Sequence, residues 1–566
     1  MNVAVDPGWL SLLPPVVAIL LALVFREVVL SLFAGIWLGA LLLNAYDPLA
    51  ATLRTLDEFV LGALAEDADH ISIVVFSLLL GGMVGVMSRS GGTRGIVESL
   101  RPFATSPRRG QFFTWLSGVM IFFDDYANTL IVGNTMRPVT DRLNVSREKL
   151  AYIVDSTAAP MAAIAVISTW VGFEISLIGD ALTASASQVT DPELASQLQA
   201  AGANPFSVFL HSIPYLFYPI LALVFVLLIV ITRRDFGPMY RAELRARRSG
   251  EVARPGSMPA MDVTGGIMEP PETAPHRWFN AGIPVIGVVL VAMAGIIATG
   301  VAGLEGEPAT LRGIVGAADP FRTLLWASFA GCVLAISLAV GQRILTLAQA
   351  IEAWVGGMRA MFLAIIILTL AWGLGGVTEA LGTGPYLSQV LGDTLPVASL
   401  PVLVFLVGAA TSFATGTSWG TMAILFPVVI PLAVAMGAGA GFDGGDHYTI
   451  LLGVISSVMA GSIFGDHCSP ISDTTVMSSM ASACDHIDHV RTQLPYALLV
   501  AAIGMTVGDI PTALGMPPWI ALVIGVAILY GVIRIVGRSV DEDDTAAAGA
   551  PAVAAAGAVR SPSSPV

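Results

Sequence analysis

Apolar runs recur along the chain at about residues 9–25, 28–46, 71–88, 111–136, 150–178, 206–232, 279–300, 321–341, 359–377, 398–437, 448–482, 494–512 and 517–537. Most have the length of one membrane-crossing helix, about 20 residues. Four are longer and interrupted. Run 111–136 divides into an arm from Gln111 to Phe123, a polar break at Asp124-Asp125-Tyr126-Ala127-Asn128, and a second arm to Met136. Run 398–437 has the same form: an arm ends near Thr411, Ala414-Thr415-Gly416-Thr417-Ser418 breaks it, and a second arm continues to about Met436. Runs 150–178 and 448–482 are long for one crossing and carry Pro160 and Pro470 inside them. The pattern predicts an all-α polytopic membrane protein with broken helices.

The basic residues select the topology. If every run crossed once, basic loops would flank 111–136 on both sides: Arg89, Arg94, Arg101, Arg108 and Arg109 before it, and Arg137, Arg142, Arg147 and Lys149 after it. That conflicts with the excess of Lys and Arg on cytoplasmic loops. The conflict disappears if 111–136 and 398–437 are re-entrant hairpins that leave by the face they entered. About 11 crossings then remain, the N-terminus lies outside and the C-terminus in the cytoplasm. Only Arg54, Arg312 and Arg322 are external, and the other 24 basic residues are internal. The first hairpin enters from the cytoplasm. The second, flanked by Glu379, Asp393, Asp443 and Asp446, enters from outside. Each is followed by a broken span, which predicts two units of inverted topology. The expected organisation is N-terminal spans 1–70, a first repeat 71–232, a cytoplasmic linker 233–277, connecting spans 278–358, a second repeat 359–537 and a disordered tail 538–566. The linker is Pro/Gly/Arg-rich and reads as a mobile loop; neither it nor the tail is expected to carry chemistry.

Composition narrows the function. The chain is 55% hydrophobic and 12% charged, with a net charge of −14 and a mean hydropathy of +0.79. These values exclude a soluble enzyme and give no footing for a nucleic-acid partner. The partners expected are the lipid bilayer of the cell membrane and small ions, with a homodimer as the default assembly. The first run lacks a basic flank and reads as a span, not a cleaved leader. The three cysteines (Cys332, Cys468, Cys484) make no disulfide framework.

A carboxylate at the bilayer centre costs about 2.5–3.5 kcal/mol on insertion scales, so intramembrane acids need a reason. Here they gather at the helix breaks: Asp124, Asp125, Asn128 and Thr129; Asp155, Ser156 and Thr157 ahead of Pro160; Thr411, Ser412, Thr415, Thr417 and Ser418; and the run Gly465-Asp466-His467-Cys468-Ser469-Pro470-Ile471-Ser472-Asp473-Thr474-Thr475. Carboxylates, hydroxyls and freed carbonyls are the hard oxygen donors that suit Na⁺. A carboxylate that binds either Na⁺ or H⁺, on a carrier that reorients only when loaded, is sufficient for antiport. Asp466 and Asp473 are the expected ion and proton carboxylates, with Ser469, Ser472 and Thr474 as neutral ligands. His467 is a pH-sensing candidate, since an ordinary histidine titrates near about 6.5; a structural histidine beside Asp466 is the other reading. Cys484-x-His486-x-x-His489 matches no established zinc spacing, and no metal beyond Na⁺ and no cofactor is expected. Glu174, Glu379 and Asp509 fall near span ends and are expected to face water.

The run FGDHCSPISDTTVMSS (Phe464 to Ser479) resembles the signature region of the NhaC-type sodium/proton antiporter family. FFDDYANTLIVGNTMRPVTDRLNVSREKLAYIVDSTAAP (Phe122 to Pro160) is similar to that family's N-terminal-half region. The resemblance covers about residues 70–537. It implies membership of a superfamily of ion and organic-anion carriers built from inverted repeats with re-entrant hairpins, in which the polar breaks carry cation and proton coupling. The family includes Na⁺/H⁺ antiporters, Na⁺- and H⁺-coupled exchangers of malate or lactate, and amino-acid exchangers. No Arg or Lys lies inside a span near the breaks, and Arg137 comes closest, which favours Na⁺ (with Li⁺ as a second cation) exchanged for H⁺. The rival readings are an organic-acid or amino-acid exchanger, a channel, and an intramembrane metal-dependent hydrolase. The chain lacks a catalytic spacing such as H-E-x-x-H, so a non-enzyme is expected.

Overall fold

The computed structural model describes residues 8–25, 27–65, 68–189, 191–258, 274–304, 314, 317–383, 386, 390, 395–439 and 446–540. They form helices almost throughout, with one pair of two-residue strands. The chain opens with α1 (Leu13–Phe25), α2 (Val28–Leu43) and α3 (Ala68–Arg89). The first half continues with α4 (Pro107–Met120), α5 (Asp125–Arg142), α6 (Arg147–Thr157), α7 (Ala159–Ile164), α8 (Val171–Gln188) and α9 (Phe217–Thr232). Strand β1 (Arg234–Asp235) and α10 (Gly237–Ser249) follow, then the connecting helices α11 (Phe279–Gly303), α12 (Pro320–Gly341), α13 (Leu347–Ala360) and α14 (Phe362–Ala380). The second half comprises α15 (Leu400–Thr415), α16 (Ser418–Gly439), α17 (Asp446–Cys468), α18 (Asp473–Ala481), α19 (His486–Ile503) and α20 (Pro518–Val536), ending in β2 (Arg538–Ser539).

Burial orders these helices from centre to rim. The apolar windows of α16 and α17 are each 83% buried, whereas those of α11 and α20 are only 22% buried. The exposed residues of α11 include Ile286, Leu290, Met293 and Ile297, a stripe that lipid would cover. Among the described residues nine helices are long and apolar enough to cross a membrane, or ten if the bent pair Pro205–Tyr215 and Phe217–Thr232 is one span.

Both hairpins form, and they enter from opposite faces. At the start of α4, Gln111 Nε2 donates to Glu243 of α10 (3.3 Å), and just after α5 the Ser146 N–H donates to the same carboxylate (2.8 Å). Both feet of the first hairpin therefore stand on the face that holds α10. In the second half α15 and α17 run parallel, with Gly461 against the Phe405 carbonyl and Gly465 against that of Ala409. Helix α18 carries the chain on to the α10 face, where Arg137 and Arg147 donate to the Ala481 and Ala483 carbonyls (3.4 and 3.1 Å). So α15 starts at the far face. Its hairpin tip stops at the α17–α18 break, short of the α10 face by the nine residues of α18, about 13 Å at 1.5 Å per residue. Gly416 makes that tip possible: its φ is +71°, and a Cβ there would lie 2.7 Å from the Ile471 carbonyl oxygen.

The breaks are narrower than the sequence suggests. Only residues 121–124 separate α4 from α5, so Asp125 to Asn128 form the first turn of a helix, capped by Asp124 through the Ala127 N–H (2.7 Å). Only Gly416 and Thr417 separate α15 from α16, and only Ser469 to Ser472 separate α17 from α18. Pro160 does not kink a continuous helix. It sits in the first turn of α7, where its missing N–H costs nothing, and the chain breaks two residues earlier at Ala158.

The first part of the linker is folded, contrary to the mobile loop expected. Helix α10 buries Met239, Ala242 and Ala246. Lys149, the single lysine of the chain, is fully buried and ion-paired to Asp235, which also accepts from the Tyr496 hydroxyl (2.6 Å). Burial pushes the Glu243 carboxyl above its usual range, opposed by the Lys149 ammonium and by hydrogen bonds from Ser146. Residues 259–273 lie outside the described residues. The tail also begins later than position 538, because Arg234 pairs with Ser539 and Asp235 with Arg538; residues 541–566 lie outside the described residues.

Lys149→Met would strand the Asp235 carboxylate in a buried site, a loss of about 3–5 kcal/mol. The expected result is a clearly lower melting temperature in detergent, largely restored by adding Asp235→Leu. An unchanged melting temperature in the single variant would refute the clasp.

Candidate functional site

The hairpin tips meet the helix breaks at the centre of the bundle, and five aspartates converge there. Asp124, Asp125, Asp155 and Asp466 are at most 3% exposed, while Asp473 keeps accessible surface. They stand at two kinds of helix end. Asp124, Asp125 and Asp473 lie at the N-termini of α5 and α18, where helix dipoles and free N–H groups favour negative charge. Asp155 and Asp466 lie in the last turns of α6 and α17, where the dipole opposes it.

Their hydrogen bonds differ accordingly. Asp473 accepts from the Tyr126 hydroxyl (2.5 Å) and the Thr474 N–H (2.7 Å), joining the first hairpin to α18. Asp155 accepts from Gln493 Nε2 (2.6 Å), Thr475 Oγ1 (3.2 Å) and Ser478 Oγ (3.3 Å), all from the second half. Asp466 has Ser418 on one oxygen (3.0 Å), and its Oδ1 has no hydrogen-bond partner. Asp125 Oδ2 and Asn128 Oδ1 are likewise buried without one. Ser472 and Trp170 stand beside Asp466 and Asp125 outside hydrogen-bonding geometry. Asp466 is in Coulombic reach of Asp473 and Asp155, and Asp125 of Asp124 and Asp473.

The neutral residues named from the sequence separate into two groups. Ser418 touches Asp466. Ser472 caps α18 through the Thr475 N–H (3.3 Å) and meets the Thr474 hydroxyl (3.1 Å). The others hold the scaffold. Thr157 and Thr415 bond back to the Ile153 and Thr411 carbonyls (both 2.9 Å), Thr417 accepts from the Gly420 N–H (3.4 Å), and Ser469 pins the Phe413 carbonyl (2.7 Å). Ser156 is buried beside Tyr152. Asn128 is a clamp: its amide donates to the carbonyls of Gly118 (2.7 Å) and Thr157 (2.8 Å), fastening the hairpin tip to the α6 break. His467 bridges the Tyr218 hydroxyl and the Asp155 carbonyl at 3.0 Å each.

Several contributors escaped the sequence reading. Tyr126 sits inside a quoted motif, but nothing local announces its partner 347 positions away. His489 and Gln493 share one face of α19 at i, i+4, and the histidine orients the amide (2.9 Å). Their flanks, with Asp488, Arg491 and Thr492, are polar as well, so nothing local singled the pair out. Two acids expected to face water do not: Glu174 is fully buried and Asp509 is 5% exposed. Among the described residues no group of three His, Cys, Asp or Glu side chains could hold a metal. His486 and His489 instead meet at the Ser479 hydroxyl (3.0 and 2.9 Å).

Comparison with known proteins fits this architecture. A model of the Na⁺/H⁺ antiporter family matches residues 161–508. The chain belongs to the Na⁺/H⁺ antiporter family. The match includes Asp466 and Asp473 and begins after Asp155. An uncharacterized protein of Haemophilus influenzae is 34% identical over 498 residues, 87% of this chain and 88% of that protein. The malate-2H⁺/Na⁺-lactate antiporter of Bacillus subtilis is 31% identical over 147 residues, 25% of this chain and 29% of its own length. The crystal structure of the Alcanivorax borkumensis YdaH transporter has the same fold, with a TM-score of 0.53 over 84% of this chain and 90% of that one at 16% identity. This member of the antiporter family is thus a polytopic transporter.

Asn128→Ala should detach the first hairpin tip and lower the melting temperature, because the Thr157 carbonyl loses the tie to the tip, about 1–3 kcal/mol for a stranded buried group, and the Gly118 carbonyl keeps only the Ile121 N–H. Thr157→Val should leave it unchanged, since that hydroxyl bonds only its own helix. Equal behaviour of the two variants would overturn the clamp.

Proposed function

We propose that this protein is a secondary antiporter that exchanges cytoplasmic Na⁺, with Li⁺ as a second cation, for external H⁺ by alternating access. The observation that carries the reading is Asp466. It is a buried carboxylate at the unfavourable end of a helix, with one oxygen unpartnered. Such a group needs a proton or a cation to neutralise it. Asp473, exposed and one break away, supplies the second carboxylate through which an ion enters. Ser418, Ser472 and Thr474 are the neutral oxygens, and Asp124 and Asp125 complete the negative field from the first hairpin. Because one carboxylate cannot hold Na⁺ and H⁺ at once, their competition couples the two fluxes. By the positive-inside rule α10 and the C-terminus would lie on the cytoplasmic side of the cell membrane.

Exchange of a small carboxylate is the second reading, favoured by the relative that couples malate and lactate. Against it stands the charge of the site. Five aspartates would repel an anion, and the guanidinium groups of Arg137 and Arg147 are engaged at the α10 end of α18. An anion site wants a fixed positive group or an uncapped helix N-terminus.

The test is recovery of a quenched pH dye in everted vesicles from an antiporter-deficient host. NaCl and LiCl should each restore fluorescence, KCl should not, and malate or lactate should add nothing. Asp466→Asn and Asp473→Asn should each reduce the response to background with normal expression. Full activity in both variants would remove these residues from the site. Silence with inorganic salts, but a response to an organic acid with Na⁺, would move the function to carboxylate exchange.

A further inference from the structure

On the far face, opposite α10, a cavity of about 710 Å³ opens between α3, α8, α14 and α16. Its walls include His70, Asp180, Glu379 and Trp372, and along α8 the lining starts at Leu177, which marks its floor. Trp372 is fixed there by its indole N–H on the Ser176 hydroxyl (2.8 Å) and by stacking on His70 with ring centroids 3.7 Å apart. Below the floor lies Glu174. It is fully buried, and both carboxylate oxygens lack a hydrogen-bond partner.

Its place on α8 is what makes it informative. Trp170, Glu174, Leu177 and Ala181 follow one another at helical spacing along one stripe. Leu177 and Ala181 line the cavity, and Trp170 stands beside Asp125. Glu174 is therefore about 4.5 Å along the axis from the floor and about 6 Å from the Trp170 position at 1.5 Å per residue. Packed around that interval are Trp419, which meets Trp170 at 5.3 Å and Phe173 at 4.5 Å, and Phe76 beside Gly172. The titratable groups that face the cavity above it are His70 from α3, Asp180 from α8 itself and Glu379 from α14; α16 contributes none.

We propose that Glu174 is a second proton-binding station, filled from the far-face cavity and standing between it and the aspartate cluster. A fully buried carboxylate with no hydrogen-bond donor on either oxygen is stable as the neutral acid. In transport, the Glu174 carboxylic acid gives its proton to a carboxylate of the cluster and is left as a carboxylate. It then takes a proton from hydronium in the cavity, which becomes water, so that one external proton has moved onto the cluster and Glu174 is again the neutral acid. This inference rests on the cation/proton reading of the cluster.

The variants Glu174→Gln and Glu174→Asp test it in vesicles and in purified protein. Gln keeps the shape and polarity of the neutral acid but cannot release a proton. Na⁺-driven proton flux should fall about tenfold or more in Glu174→Gln, with exchange of radiolabelled Na⁺ for Na⁺ within twofold of the parent. Glu174→Asp should recover part of the proton flux. In infrared spectra the parent should show a carboxylic-acid carbonyl band that fades as pH rises and is missing from Glu174→Gln. Unchanged proton flux in Glu174→Gln, or equal loss of both fluxes, would overturn the station in favour of a packing role. If the parent itself shows no Na⁺-driven proton flux, the cation reading fails. The infrared band still decides this one: a titrating band that needs Glu174 supports the station, and its absence overturns it.

Discussion

The assembly turns on the Asp155 carboxylate. It belongs to the first half of the chain, yet its donors Gln493, Thr475 and Ser478 all come from the second. A carboxylate with no exposure cannot trade these bonds for water. Neither half can therefore satisfy its own centre, and the two must fold onto each other to do so. Gln493 extends the tie, because the same amide holds the His467 carbonyl (2.7 Å) while His467 reaches the Asp155 carbonyl. Helices α6, α17, α18 and α19 are joined through one buried group.

Asp155 and Asp466 occupy corresponding places. Each lies in the last turn of a helix that breaks just ahead of a proline, Pro160 in one half and Pro470 in the other. Each break meets a hairpin tip, Asn128 on the Thr157 carbonyl in the first half and Ser418 on Asp466 in the second. Their satisfaction is unequal. Asp155 has donors on both oxygens, whereas Asp466 has a single hydroxyl on one. Two equivalent carboxylates with unequal partners divide the work physically: the satisfied one holds the halves in register, and the other remains able to exchange its counter-charge. Loss of Asp155 removes an acceptor shared by three side chains of the second half, whereas loss of Asp466 removes an acceptor from Ser418 alone, which also reaches the Ser462 carbonyl (3.2 Å).

Much of this was legible in the residues because each signal was local. Runs of apolar residues, the Arg distribution and polar interruptions define helices, faces and breaks without any knowledge of tertiary contacts. Asp466, Asp473, Asp124 and Asp125 stood out because acids in apolar sequence are costly. The signal failed where the partner is distant or where burial contradicts position along the run. Glu174 looks like a span-end residue only if run 150–178 is one crossing. Once the chain breaks at Ala158 and again before α8, that glutamate falls near the centre. Lys149 failed for the same reason. In sequence it is one more cytoplasmic charge, and only the fold brings Asp235 to it from 86 positions away. The hydroxyls of Thr157 and Thr415 bond their own i−4 carbonyls, a bond that every helical threonine has within reach and that their position in the sequence does not reveal.

The placement of the aromatic groups links access to binding. Between the far-face cavity and the cluster, Trp419 of the second hairpin closes on Trp170 and Phe173 of the first half. Trp419 directly follows Ser418, the donor to Asp466. Any movement of the second hairpin that lifts Trp419 away to open the far side must also shift Ser418 on the same helical turn. Opening therefore weakens the one hydrogen bond that Asp466 has, and it does so as water gains entry. On the opposite face α10 is bound to α4 through Gln111 and to the start of α6 through Ser146, with Arg245 on Glu148 (2.9 Å). That face is held by buried polar bonds, whereas the contact of Trp419 with Trp170 and Phe173 is ring against ring and can part without breaking a hydrogen bond.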